Sequence, residues 1–201
     1  IRGDWQIARW LLPWVPDRDN QLHKNPLSML SRWKILDNLR RSLMAAASVF
    51  LLLLGWTVLA SPWFWTLAVI GMIVIPSLLA SALNTLQKPA DVTLGQHLAS
   101  NMQAVGRHSL QALFTLVCLP HEAFYSLDGV LRTLWRMHIS HRRLLQWNPS
   151  GDVGSTERPG LLDSCRSMWS APAIAAVTAG AIVLLQPAAL IVASPILVLW
   201  L

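Results

Sequence analysis

A short motif close to the start of the chain combines side chains that can recognise a sugar or a phosphate. Gln6, Arg9 and Trp10 follow the pattern Q-x-x-R-W. An arginine guanidinium can bind a phosphate or a carboxylate through two parallel hydrogen bonds. A glutamine amide can bond to sugar hydroxyls, and the flat face of an indole can stack on a pyranose ring. The motif therefore predicts a binding site, with Asp4 as a neighbour of unassigned role. An interfacial Trp/Arg anchor is the alternative.

Other sequence signatures of catalysis are absent. The chain has no glycine-rich phosphate loop, no H-E-x-x-H and no G-x-S-x-G. His138 and His141 are three positions apart and would share one face of a helix, but solvated or headgroup-facing histidines are the commoner case. We therefore expect no metal site within the chain.

The composition excludes an ordinary water-soluble domain. Of the 201 residues, 54% are hydrophobic and 13% are charged, whereas soluble domains carry about 25% charged residues. The formal net charge is +6, but the basic residues border uncharged stretches, as they do in the cytoplasmic loops of membrane proteins. We predict a membrane protein that contacts the lipid bilayer, and we expect no nucleic-acid partner.

An uncharged run of 46 positions, 42–87, predicts two membrane-spanning helices, because about 20 apolar residues cross a bilayer core. Ser61-Pro62 is the natural turn between them. Tryptophans are typical of the membrane–water interface, and three of them surround this turn: Trp56, Trp63 and Trp65. The turn carries no lysine or arginine, so it should face away from the cytoplasm.

Two further segments predict amphipathic helices in the membrane interface. Asn25-Pro26 is typical of a helix N-cap followed by proline, and apolar residues then recur at helical spacing: Met29, Leu30, Trp33, Leu36, Leu39 and Leu43. A soluble helix packed on an adjacent domain is the alternative there. The uncharged stretch 108–121 is short for a span, so we expect an interfacial or re-entrant helix bent at Pro120. One tilted crossing over 108–130 is the alternative.

These elements predict an all-α membrane fold, with transmembrane helical hairpins and amphipathic interfacial helices. The final run fits either one bent span or a hairpin that turns at Gln186-Pro187. The predicted order is the end of a cytoplasmic domain (1–24), an interfacial helix (25–41), a transmembrane hairpin (42–84), a cytoplasmic-side connector with interfacial or re-entrant helices (85–147), a loop (148–170) and one or two transmembrane helices (171–201). Because the chain starts at Ile1 and stops inside an apolar run, we expect a segment of a larger polypeptide.

Longer stretches of the sequence resemble a known family. Q-x-x-R-W followed by interfacial and transmembrane helices resembles the end of the catalytic domain in processive family-A glycosyltransferases, such as cellulose and hyaluronan synthases. More closely, three segments are similar to the cyclic β-1,2-glucan synthases of Gram-negative bacteria: R-G-D-W-Q-x-x-R-W-L-L-P (Arg2 to Pro13), N-P-L-S-M-L-S-R-W-K-I-L-D-N-L-R-R-S-L (Asn25 to Leu43) and L-R-T-L-W-R (Leu131 to Arg136). The second segment is the longest and most specific.

The resemblance implies a membrane segment of a very large, multi-pass protein of the bacterial inner membrane. Its cytoplasmic glucosyltransferase domain would use UDP-glucose to elongate a β-1,2-glucan, and later phosphorylase-like and cyclisation domains of the same polypeptide would trim the glucan and close the ring. The residues 1–24 would then end the glycosyltransferase domain, with Gln6, Arg9 and Trp10 at the acceptor end of its site. A divalent metal, Mg²⁺ or Mn²⁺, and the catalytic base would be held upstream, so the chain alone would be catalytically incomplete.

Two other functions stay open at the level of sequence. A membrane anchor or assembly subunit without chemistry predicts that the motif residues tolerate alanine. A transporter segment would need polar groups inside the spans or helices broken near the middle of the membrane. Only the proline-rich final run, with Pro172, Pro187 and Pro195, favours that function.

Overall fold

A computed structural model of the protein describes residues 1–17, 21–86, 93–140 and 168–201. Nearly all of these residues are helical, which confirms the predicted all-α membrane fold class. The predicted loop over 148–170 lies outside the described residues except for its last three positions. Three other parts of the predicted ranges also lie outside them: 18–20, 87–92 and 141–147.

The chain begins with four short elements that the hydrophobic pattern did not predict individually. Helix α1 (Arg2–Gln6) leads into a 3₁₀ turn (Ala8–Leu11), and strands β1 (Trp14–Pro16) and β2 (Leu22–Lys24) then form an antiparallel ribbon. In its register, Trp14 is paired with Lys24 and Val15 with His23. Val15 is the buried residue of this ribbon.

Helix α2 (Met29–Thr57) is continuous through both the predicted interfacial helix and the first predicted span. It begins after Ser28, whose Oγ accepts a hydrogen bond from the Ser31 amide at 3.2 Å, as an N-cap side chain does. The expectation that Asn25 caps this helix is therefore wrong. The Asn25 amide bonds to backbone carbonyls near the start of the chain instead.

Helix α3 (Pro62–Leu86) starts at the predicted turn. Ser61 has a φ of 61°, a left-handed conformation that reverses the chain direction, and the fixed φ of proline favours Pro62 as the first helical residue. Within the described residues, two helical stretches are long and apolar enough to cross a membrane: Met29–Thr57 and Pro62–Leu83.

Helix α4 (Leu94–Trp135) contains Pro120 and continues into a π-helical turn (Arg136–Ser140). The chain ends in two shorter apolar helices, α5 (Ser170–Leu185) and α6 (Leu190–Leu199), joined through a 3₁₀ turn (Pro187–Ala189). The structure thus divides this run into two helices at Gln186-Pro187.

The chain divides into two compact units. The first unit comprises Ile1–Ala47 and His121–Trp169, and the second comprises Ser48–Pro120 and Ser170–Leu201. Among the described residues of the first unit, four apolar side chains are buried: Val15, Leu39, Ala123 and Val130. The largest buried side chains of the second unit are Trp56, Trp200, Leu52, Ile182 and Val69.

In the second unit, a backbone carbonyl that a proline leaves unpaired finds a side-chain donor. Proline has no amide hydrogen, so the carbonyl four residues earlier loses its helical partner. Pro120 leaves the carbonyl of Leu116 in this state, and Trp200 Nε1 donates a hydrogen bond to that oxygen at 2.9 Å. This bond therefore lets α4 continue through Pro120 without an orphaned acceptor at Leu116.

Candidate functional site

The Q-x-x-R-W motif lies where α1 ends and the 3₁₀ turn begins. Gln6 is the last residue of α1, and Arg9 and Trp10 belong to the turn. The Trp10 amide donates to the Ile7 carbonyl at 2.9 Å, and the Leu12 amide donates to the Arg9 carbonyl at 3.1 Å. Local backbone bonds thus close the turn and fix the direction in which its side chains leave the backbone.

The three motif side chains are exposed, and Trp10 is 37% exposed. Among the residues that the structure describes, no carboxylate forms an ion pair with Arg9. An exposed guanidinium next to an exposed indole can bind an anion and stack on a ring. The structure therefore places Arg9 and Trp10, both exposed, on adjacent positions of one turn.

An open, mainly apolar groove of about 370 Å³ runs beside Trp10, within the first unit. Its lining residues come from the motif region and from the start of α2 and the segment before it: Ile7, Trp10, Leu27, Ser31, Lys34 and Ile35. Lys34 is the charged member of this set. The groove thus joins an indole face, aliphatic side chains and one ammonium group, which suits a ring-shaped ligand with an apolar face.

Asp4 lines a second depression of the first unit, an open cleft of about 550 Å³ with both polar and apolar lining residues. Asn38 Nδ2 donates to Asp4 Oδ1 at 3.3 Å. The cleft is also lined by Arg41, Glu122 and Tyr125. The structure therefore places Asp4 and Trp10 in two different described depressions, and it gives Asp4 an amide partner on α2 that the motif alone did not indicate.

The sequence analysis did not identify Asn38 and Arg41, two residues that line this cleft. Both residues lie off the apolar stripe of α2. They are three positions apart, so they share a helical face. That amphipathic spacing was the available signal. The spacing could not show that α1 lies against this face, where Trp5 Nε1 donates to Ser42 Oγ at 2.9 Å.

A local cluster of charges borders the cleft. The Asp37 carboxylate is 2.9 Å from Arg40 Nη2 and 2.6 Å from Arg41 Nη2. Asp37 precedes the uncharged run that starts at Ser42, so it lies outside the predicted span. The side-chain hydrogen bond from Arg40 and the charge of Arg41 hold the pKa of the Asp37 carboxyl below its ordinary value.

The backbone that follows the motif is held by two residues from beyond the ribbon. Asn25 Nδ2 donates to the carbonyls of Trp10, at 2.7 Å, and Leu12, at 2.9 Å. The Arg32 guanidinium donates through Nε and Nη2 to the carbonyl of Leu11. Both residues belong to the segment that carries the most specific part of the family resemblance.

A metal ion has no cluster of ligands in the described part of the chain. No group of three or more histidine, cysteine, aspartate or glutamate side chains is close enough there to hold one. The divalent metal implied by the resemblance is therefore not assigned to any described residue.

Comparison with known proteins supports the resemblance. No protein-family profile matches the chain. The chain is similar to the cyclic beta-(1,2)-glucan synthase NdvB of Rhizobium meliloti (strain 1021), with 31% identity over 179 residues, or 88% of this chain. The chain spans only 6% of the length of that protein. The predicted similarity to a cyclic β-1,2-glucan synthase is thus confirmed for a small segment of such a protein.

Proposed function

We propose that this chain is the membrane segment of a processive, inverting glucosyltransferase that makes cyclic β-1,2-glucan from UDP-glucose. In this proposal the segment anchors the catalytic domain in the bacterial inner membrane and contributes Gln6, Arg9 and Trp10 to the acceptor end of the active site. The observation that carries it is the exposed pair of Arg9 and Trp10 on a closed turn. The similarity to NdvB supports the choice of glucan synthesis.

The anchoring role is supported by two apolar features. Helices α2 and α3 contain stretches long enough to cross a bilayer. Before the uncharged run, α2 also leaves a stripe of apolar side chains exposed: Met29, Leu30, Trp33 and Leu36. Such a stripe can lie in the headgroup region of a membrane. The motif would then be held close to the bilayer surface, with the lysine- and arginine-rich segments on the cytoplasmic side.

The proposed reaction is a displacement at the anomeric carbon of UDP-glucose. A hydroxyl at the non-reducing end of the glucan, with its sugar ring stacked on Trp10, attacks the anomeric carbon from the face opposite the diphosphate. The new glycosidic bond forms as the bond to the diphosphate oxygen breaks, and UDP leaves with that electron pair. A base outside the chain takes the hydroxyl proton.

Arg9 would act on the leaving group. Negative charge grows on the diphosphate as its bond to carbon breaks, and a guanidinium held nearby stabilises that charge. Gln6 would bond to hydroxyls of the acceptor sugar. The divalent metal stays a prediction of the family resemblance, and no step of the reaction is assigned to it.

The test is the incorporation of labelled glucose from UDP-glucose by membranes that contain the full-length protein. Loss of one charge-stabilising donor lowers kcat by about 100-fold or more, and we expect this for Arg9→Lys, because lysine keeps the charge but loses the paired geometry. Trp10→Ala should also lose most incorporation, because the acceptor ring loses its stacking surface.

Two matched variants control for changes of charge and of exposed aromatic area. Arg40→Lys alters an arginine that pairs with Asp37 on the same helix, and Trp14→Ala removes an indole that is 56% exposed. Both should incorporate glucose normally. If Arg9→Lys and Trp10→Ala also do so while remaining in the membrane, the motif is an interfacial anchor and the chain is a scaffold.

A further inference from the structure

The carbonyls of four consecutive residues, 10–13, begin with that of Trp10, and two residues from outside the turn supply their described hydrogen bonds. The side-chain amide of Asn25 donates to the carbonyls of Trp10 and Leu12, and its backbone amide donates to the Pro13 carbonyl at 2.9 Å. The Arg32 guanidinium donates to the Leu11 carbonyl, with Nε at 3.0 Å from the oxygen. Carbonyls at the end of a helical turn have no partner within it, so donors must come from elsewhere.

The use of Arg32 for this purpose is unusual. Its guanidinium is half-buried, and within the described residues it forms no ion pair with a carboxylate. Two of its donors instead meet a single backbone oxygen. A bond from a charged donor is about twice as strong as a neutral one. Arg32 therefore fixes the turn from α2, at the residue directly after Trp10.

We propose that Asn25 and Arg32 are positioning residues that hold Arg9 and Trp10 in the geometry needed for glucosyl transfer. This inference rests on the proposed function. It follows from the location of the bonds, because the Trp10 carbonyl is itself one of the four acceptors. If these bonds are lost, the turn can rotate, and its two functional side chains move away from the diphosphate and the acceptor ring.

The first readout is the rate of glucose incorporation by the full-length protein in membranes at saturating UDP-glucose. A misplacement of about 1 Å at a reacting centre can lower a rate by about 100-fold. We expect Asn25→Ala and Arg32→Ala to lower kcat by about 10- to 100-fold, with a smaller change in the KM for UDP-glucose. Arg40→Ala, which removes an arginine of the same helix without a bond to the turn, should keep the wild-type rate.

Conservative replacement separates positioning from a direct role in binding. Arg32→Lys should restore most of the rate lost in Arg32→Ala, because one ammonium group can still donate to the single carbonyl of Leu11. Arg9→Lys should stay defective, because its proposed ligand requires two parallel bonds. If Asn25→Ala fails to accumulate in membranes, the pair Arg32→Ala and Arg32→Lys still decides the inference.

The second readout does not depend on activity. Trypsin cleaves after exposed arginines only where the backbone can open, so cleavage after Arg9 reports the stability of the turn. Site-resolved mass spectrometry should show cleavage about 10-fold faster in Asn25→Ala and Arg32→Ala, and near the wild-type rate in Arg32→Lys and Arg40→Ala.

Slower incorporation together with faster cleavage at Arg9, both reversed in Arg32→Lys, supports the inference. Unchanged cleavage shows that the bonds do not hold the turn and overturns it. Faster cleavage with unchanged incorporation overturns it as well, because the turn is then held without positioning the reaction. Normal incorporation by Arg9→Lys and Trp10→Ala overturns the proposed function and the positioning role with it, while the cleavage assay still reports whether the turn is fixed.

Discussion

The two units contain the same hydrogen-bonded pair in different surroundings. In the second unit, Trp56 Nε1 donates to Thr66 Oγ1 at 2.8 Å. In the first unit, Trp5 Nε1 donates to Ser42 Oγ at 2.9 Å. Each hydroxyl in turn donates to a backbone carbonyl of its own helix. Trp56 is completely buried, whereas Trp5 and Ser42 are half-buried.

The difference lies in what can replace a lost partner. Water can reach a half-buried indole in the first unit, but a buried indole between apolar helices finds no substitute donor or acceptor. The second unit therefore depends on the internal hydrogen bond of its buried indole and on close packing. The first unit keeps polar side chains at its surface, and there they can meet a ligand.

Cys118 provides a measurement for the second unit. Its side chain is buried, so its reaction with N-ethylmaleimide in the solubilised full-length protein requires the unit to open. When opening is fast and reversible, the labelling rate depends on the free energy of opening. A change of about 1.4 kcal/mol in that free energy changes the labelling rate tenfold.

The largest effect on this rate is expected from Gly55→Ala, which would drive α2 and α3 apart next to Trp56. An added Cβ at Gly55 would lie 2.5 Å from Trp65 Cβ, an atom fixed to the backbone. Overpacking of this kind costs about 1–3 kcal/mol, so labelling should rise by about 5- to 150-fold. The control is Gly71→Ala, whose Cβ would meet only the flexible end of Ile75 at 3.3 Å. Equal rates for the two variants would contradict close packing at Gly55.

Thr66→Val tests the buried pair directly. The shape of the side chain is kept, but the Trp56 indole loses its acceptor in a place that water does not reach. We expect a loss of about 1–2 kcal/mol and a rise of about 5- to 30-fold in Cys118 labelling. Thr57→Val is the matched control, since the Thr57 hydroxyl bonds to the Leu53 carbonyl of its own helix. If Thr66→Val leaves the labelling rate unchanged, burial does not strengthen the hydrogen bond between Trp56 and Thr66.

Trp200→Phe should lose somewhat less hydrogen-bond energy, about 1 kcal/mol. It leaves the Leu116 carbonyl without a donor, because Pro120 cannot supply one. Pro120→Ala restores an amide at the right position, so the same Trp200→Phe change should cost less in that background. A double-mutant cycle of Cys118 labelling measures this coupling, and strict additivity of the two changes would refute the compensation.

Ser42→Ala should have the smallest effect of the four. The half-buried Trp5 indole can bond to water instead, so we expect a loss of about 0.5 kcal/mol and about twofold faster tryptic cleavage after Arg9. Cys118 labelling should stay at the wild-type rate, since the pair belongs to the first unit. If Ser42→Ala costs as much free energy as Thr66→Val, the two units do not differ in how strongly they depend on this hydrogen bond.

Most of the helical architecture was predictable, because it depends on patterns that are local in sequence. The absence of charge over 42–87 predicted two long apolar helices, and Ser61-Pro62 predicted the position of the turn between them. The motif residues were identified from their types and spacing alone, and their role stays a prediction. The β ribbon was not predicted, since two strands of three residues each give almost no periodic signal.

The error at Asn25 shows where local reasoning stops. Asparagine before proline is typical of a helix start, and that preference was the only information available. In the folded chain, the carbonyls of Trp10 and Leu12 lie within reach of the Asn25 amide, and Ser28 caps α2 instead. Partners 13 and 15 positions away cannot be identified from spacing, because a ribbon must first fold back and bring them together.

The sequence by itself determined the all-α membrane fold class, and it led to the prediction that Arg9 and Trp10 bind a phosphate and a sugar ring. Composition and hydrophobic runs determine whether a segment prefers lipid or water, and that preference does not depend on the other segments. Only the tertiary structure decided which donors meet which carbonyls: Asn25 and Arg32 at the motif, and Trp200 at the carbonyl that Pro120 leaves unpaired. Hydrogen bonds are short and directional, so their partners are fixed only when distant parts of the chain pack together.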